Sequence, residues 1–140
     1  MAFRYAGGPK RETTAKPASA FTAGDLLCLT SASSLSAMPG KLDLDIAGVA
    51  IADSTQSLDN QVPYVLALPG TLFWADIYAG SSHTEGGEYS IDMPASKVTT
   101  SATSVRFVVA PRGSIPTVIE SGISRVLGYF LTSGSESEYV

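Results

Sequence analysis

A chain of 140 residues is the size of one domain and can bury a core without disulfides or metals, and its single cysteine excludes an intrachain disulfide. A net charge of −4 and a pI near 4.8 argue against a dedicated nucleic-acid binder. No stretch approaches the roughly 18 apolar residues of a membrane-crossing helix, and the cationic beginning lacks the apolar centre of a secretory signal.

Residues 1–20 read as an extended arm. Gly7-Gly8-Pro9 and Lys16-Pro17 oppose regular structure there, and no helical or strand period is evident. Arg4, Lys10, Arg11 and Lys16 face the single acid Glu12, so the segment is basic and the body that follows is acidic. Such a segment is either a free tail or an arm that orders on a partner. In the second case Phe3 and Tyr5 would anchor it and the four cations would steer it. Deleting it would then weaken partner binding and leave the domain folded.

From Phe21 onward, short runs of branched and aromatic residues alternate with Gly, Pro, Ser and Asp. Strands are predicted at Asp25–Thr30, Ile46–Ala52, Val62–Leu68, Thr71–Ala79, Glu88–Ile91, Val105–Val109 and Arg125–Leu131. A short helix is allowed near Pro94–Thr100 or Ser114–Ser121, and the tail Gly134–Val140 reads as frayed. The expected architecture is all-β: a small β-barrel or β-sandwich of about seven strands, residues 21–140 forming one domain behind the arm.

The run Thr71–Ala79 carries the most information. Alternation puts Thr71, Phe73, Ala75, Ile77 and Ala79 on one face and Leu72, Trp74, Asp76 and Tyr78 on the other. The second face is either a partner surface built on Leu72, Trp74 and Tyr78, or is itself buried with Asp76 at a rim. In Val105–Val109, Arg106 is expected to face out, and Gly128 marks a bulge or a close backbone approach.

Chemical motifs fail at identifiable points. Cys28 sits in an apolar run and reads as a buried thiol. His83-Thr84-Glu85 lacks the cysteine pair of a zinc deaminase and reads as a solvated loop. Asp43-Leu44-Asp45 opens like a calcium loop, but Ala47 and Ser54 stand where oxygen ligands are needed. Gly122-Ile123-Ser124-Arg125-Val126 lacks the second glycine of a nucleophile elbow, and Gly7-Gly8-Pro9-Lys10 lacks phosphate-loop spacing. The expectation is a non-enzyme with no cofactor and no metal. Charged residues are 16% of the chain against about 25% in average domains, so part of the surface is expected to be covered, by a partner or by the abundant Ser and Thr.

Phe21-Thr22-Ala23-Gly24-Asp25-Leu26-Leu27, followed by Ile46-Ala47-Gly48-Val49-Ala50-Ile51-Ala52-Asp53, resembles the capsid decoration (cement) proteins of tailed bacteriophages. Gly86-Gly87-Glu88-Tyr89 and the closing Arg125–Phe130 are similar to the second half of such chains. The resemblance implies a β-barrel or β-sandwich protein, often a homotrimer, made in the host cytoplasm and bound outside an icosahedral head. There it would clamp the major capsid protein, with neither nucleic acid nor membrane as partner. It carries over no individual binding residue. A tail-associated or carbohydrate-binding β module, with Trp74 and Tyr78 free, is the alternative, and a small hydrolase using His83 is a third reading.

Overall fold

The computed structural model describes residues 2–31, 34–37, 46–56, 61–78, 80–93, 95–101, 105–111, 117–120 and 123–131. The strands are β1 (Phe3–Gly7), β2 (Glu12–Pro17), β3 (Leu26–Ser31), β4 (Ser34–Ala37), β5 (Ile46–Ala50), β6 (Val62–Leu66), β7 (Leu72–Ile77), β8 (Glu88–Tyr89), β9 (Ile91–Asp92), β10 (Lys97–Val98), β11 (Phe107–Val109), β12 (Thr117–Glu120) and β13 (Ile123–Phe130). Among the described residues the only helical element is a 3-10 turn at Ser54–Gln56, so the fold is all-β as the turn-punctuated pattern predicts. All seven expected strands form, the run Glu88–Ile91 as the two short strands β8 and β9.

Five strands close into a small barrel, ordered β2-β4-β3-β5-β6. β2 completes it, running parallel to β4 and antiparallel to β6. The second sheet has eight strands, with the path β8-β11-β13-β7-β10-β9; β1 joins it beside β7 and β12 beside β13. At its centre β13 lies antiparallel to β7, with Arg125 opposite Asp76 and Leu127 opposite Trp74.

Alternation explains the packing. Along β7, Phe73, Ala75 and Ile77 are buried while Leu72, Trp74 and Asp76 are half-buried. The buried set meets Phe3, Phe107 and Phe130. The Phe130 ring lies 5.2 Å from Phe3, 5.0 Å from Phe73 and 5.4 Å from Phe107, the Phe3 and Phe107 contacts edge-on. Leu26, Cys28, Ile46, Val49 and Val65 of the barrel join the same cluster, so one core binds barrel to sheet. Burying each such Phe or Leu contributes on the order of 2 kcal/mol. Leu27, whose side chain alternates to the other face of β3, packs instead with Phe21, Val62 and Tyr64 in a second cluster.

Two glycines are dictated by close approach. A Cβ on Gly48 would strike the Val65 carbonyl of β6, and one on Gly128 would strike the Val108 carbonyl and the Phe107 ring. The second is the close backbone approach expected from its place in an apolar strand.

Several expectations are corrected. Residues 1–20 are not a free arm: β1 is a strand of the sheet and β2 a stave of the barrel. Backbone pairing holds them there, and Phe3 is fully buried. The stretches allowed a helix hold β10 and β12 where they are described. Arg106 does not face solvent. It is buried, and its Nε donates to the Leu131 carbonyl at 3.0 Å. The tail Gly134–Val140 lies outside the described residues.

Candidate docking cleft between barrel and sheet

The basic segment crosses from sheet to barrel. β1 runs along β7 with Phe3 opposite Ala75, Arg4 opposite Trp74 and Tyr5 opposite Phe73, and the register slips between Tyr5 and Gly7. The crossing that follows is pinned. The Tyr5 hydroxyl donates to the Gly8 carbonyl at 2.6 Å, and the buried Thr71 hydroxyl donates to the Pro9 carbonyl at 2.5 Å. Leu66 N–H then donates to the Arg11 carbonyl at 2.9 Å, and β2 begins with Glu12 opposite Val65.

This crossing leaves a cleft of about 230 Å³ between β1 and the β5–β6 wall of the barrel. Val49, Ala50 and Val65 line one side, Phe3 and Tyr5 the other, and Ile51, an exposed large apolar side chain at 39%, lies at the mouth. Arg4 and Lys10 also line it. The Lys10 ammonium sits 5.0 Å from the Tyr5 ring centroid and 3.0 Å from the Glu12 carboxylate. Arg4 has no acidic partner among the described residues, and Arg11 and Lys16 are exposed. Of the six arm residues singled out from the sequence, Phe3, Arg4, Tyr5 and Lys10 thus meet at one cleft, with Arg11 just beyond it. Phe3 reaches it only as part of the core wall and is no surface anchor.

The backbone of β1 adds a directional feature. Asp76 N–H donates to the Ala2 carbonyl at 3.0 Å, whereas Phe3 N–H turns the opposite way and donates to Gly24 O at 3.2 Å. Strand alternation places the N–H and C=O of Tyr5 on that same barrel-facing edge. Among the described residues neither group has a partner there.

The strand face singled out on β7 is a different place. Leu72 and Trp74 are half-buried, and Asp76 between them and Tyr78 is engaged. Arg125 Nε donates to Asp76 Oδ1 at 2.7 Å with the guanidinium fully buried. Tyr78 lies beyond the end of β7 and is 40% exposed. Its hydroxyl donates to the Asp92 carboxylate, and Lys97 Nζ sits 4.9 Å from its ring centroid. The Asp92 hydrogen bond raises the Tyr78 phenol pKa, with desolvation and the Asp92 charge adding to it. Burial likewise pushes the Tyr64 phenol and the Cys28 thiol up.

His83, expected in a solvated loop, is 7% exposed. Its Nε2–H donates to the Thr99 carbonyl at 2.9 Å, and its ring meets Tyr89 edge-on at 4.6 Å. Tyr89 in turn accepts from Thr84 N–H at 2.9 Å, so the histidine pins its loop onto the residue that follows β10. Among the described residues no three His, Cys, Asp or Glu side chains come close enough to share a metal ion.

The two segments that carry the resemblance form one hydrogen-bonded unit. Gly24 N–H donates to Ala50 O at 2.8 Å, Ala50 N–H to Asp25 O at 3.0 Å, and Ala23 N–H to Asp53 Oδ1 at 2.8 Å. The acid that ends the second segment therefore caps the turn of the first. No family model, no curated protein and no solved structure matches the chain.

The residues that sequence reasoning missed are the far wall, Val49, Ala50, Ile51 and Val65, and the buried Asp76–Arg125 pair. The wall residues are ordinary strand residues whose role depends on where β1 crosses. The pair had a signal: one lone acid and one lone base, each inside an otherwise apolar strand.

Proposed function

We propose that this chain is a structural virion protein that binds the outside of an icosahedral phage head and steadies the lattice of its major capsid protein, as a homotrimer. The observation that carries the reading is the basic crossing. Arg4, Lys10 and Arg11 are gathered beside an apolar cleft on an otherwise acidic body, a layout suited to an acidic protein surface. The all-β fold and the hydrogen-bonded unit made by 21–27 and 46–53 fit the family that the sequence resembles. A ligand that binds the assembled shell and not its free subunits stabilises the shell by mass action, and three linked copies convert weak contacts into tight attachment.

Co-sedimentation tests it. The purified chain is expected to pellet with expanded heads of the phage that encodes it and to raise their temperature of disruption. Failure to pellet with heads stripped of this protein would sink the proposal. The exposed Tyr78 is the feature that favours the carbohydrate-binding alternative, although Lys97 already occupies one side of its ring.

A further inference from the structure

We infer that the open part of the β1 edge, at Tyr5, and the cleft beside it form a strand-addition site for an extended acidic peptide segment carrying an apolar side chain. The inference deepens the docking reading and rests on it only for which protein carries the segment.

Three observations converge on this occupant. The backbone groups of Tyr5 point away from β7 toward the barrel with no described partner, and an added strand uses groups of this kind. The cleft beside them, about 230 Å³, is smaller than the roughly 300–1,000 Å³ of cofactor and drug sites. Its walls of Val49, Ala50 and Val65 suit one apolar side chain rather than a whole small molecule. Strand alternation then turns the neighbouring side chains of a bound segment to the face of β1 that carries Arg4, while Lys10, over the Tyr5 ring, adds positive charge at the cleft itself. Lys10 is already half-compensated by Glu12, and Arg4 has no described acid, so the site retains positive charge. Acidic residues flanking the buried one supply the complement.

The probe is a capped hexapeptide alternating glutamate and valine, added to the isotope-labelled full-length protein and followed by amide chemical shifts. Saturable shifts are expected at Tyr5, Ala50 and Ile51. Lys10→Glu, at an exposed position, and the double variant Arg4→Glu/Lys10→Glu are each expected to weaken binding, the double by roughly tenfold or more. A peptide N-methylated on the amides of its pairing edge is expected to lose at least as much, and one with lysine for glutamate to show no saturable shift. Absence of saturable shifts at millimolar peptide overturns the inference. So does undiminished binding by Lys10→Glu, by the double variant or by the N-methylated peptide. Sedimentation separates the two readings. If the wild type pellets with heads and Lys10→Glu pellets equally, the cleft is not the contact and the docking reading stands. If the wild type does not pellet, the docking reading falls whatever the peptide does.

Discussion

Asp76 and Arg125 sit where a pattern of alternating apolar residues leaves no obvious place for charge. The guanidinium is fully buried and the carboxylate, 14% exposed, lies 2.7 Å away. Desolvation makes such a pair a weak source of net stability, but removing one partner strands the other. Asp76→Ala is therefore expected to cost about 3–5 kcal/mol in chemical denaturation, and the double replacement Asp76→Leu/Arg125→Met clearly less. Equal losses in the two would show that the cost is packing and not the stranded charge. Tyrosine 78 offers a test with a pH axis. Its hydroxyl donates to Asp92, which favours the neutral phenol, and burial favours it at Tyr64. A phenol raised above its ordinary value near 10 stabilises the fold below that value. The contribution is lost as pH climbs through the raised value. Phenolate absorbance of the folded protein should thus show a late-titrating class. Tyr78→Phe and Tyr64→Phe should each remove one member, and an unchanged late class in both would refute the assignment.

Strands β1 and β2 differ in what holds them. β1 supplies Phe3 to the aromatic cluster, but its Phe-Arg-Tyr start is too short a run to establish a period. β2 buries only Ala15 and is held by pairing with β6 and β4. A strand kept by backbone bonds alone has no hydrophobic signature, which is why the basic segment reads as an arm. Deleting residues 1–20 should accordingly abolish cooperative unfolding, because it opens the barrel and uncovers the core. Phe3→Ala alone should cost about 3–5 kcal/mol. A truncated chain with a sharp, near-native melting transition would show that the arm reading was right.

The two-residue alternation of Thr71–Ala79 made β7 legible, and the turn residues between apolar runs made the other six expected strands legible. Arg106 and Arg125 were harder. A lone cation in a strand ordinarily marks the solvent face, yet here each guanidinium finds an acceptor inside, the Leu131 carbonyl and the Asp76 carboxylate. Phe3, Arg4, Tyr5 and Lys10 were legible as a group, which the structure gathers at one cleft with Phe3 as core wall. The cleft they share was not, because it exists only where residues distant in sequence close over the crossing.

Taken whole, the molecule carries a positive strip on an acidic body, and the proposed docking should respond to ionic strength as such a surface does. Head binding of the wild type is expected to weaken steadily between low salt and several hundred millimolar, since exposed charges are screened over about 8–10 Å near physiological salt. Lys10→Glu should flatten that dependence. A salt-independent pellet would place the attachment on apolar contacts such as Leu72 and Trp74 instead.

The barrel is an uninterrupted stretch of chain, residues 12–66, set between two neighbours of the other sheet, β1 and β7. On a ribosome the barrel strands can therefore close once β6 has cleared the exit tunnel. β1, made first, must wait for β7, and β7 in turn for β13 near the far end. Such non-local pairing is slow to form. During synthesis the edge of β1 and the Phe3 ring stand open to other chains, and the same strand that helps form the candidate cleft is the one a nascent-chain chaperone would have reason to shield.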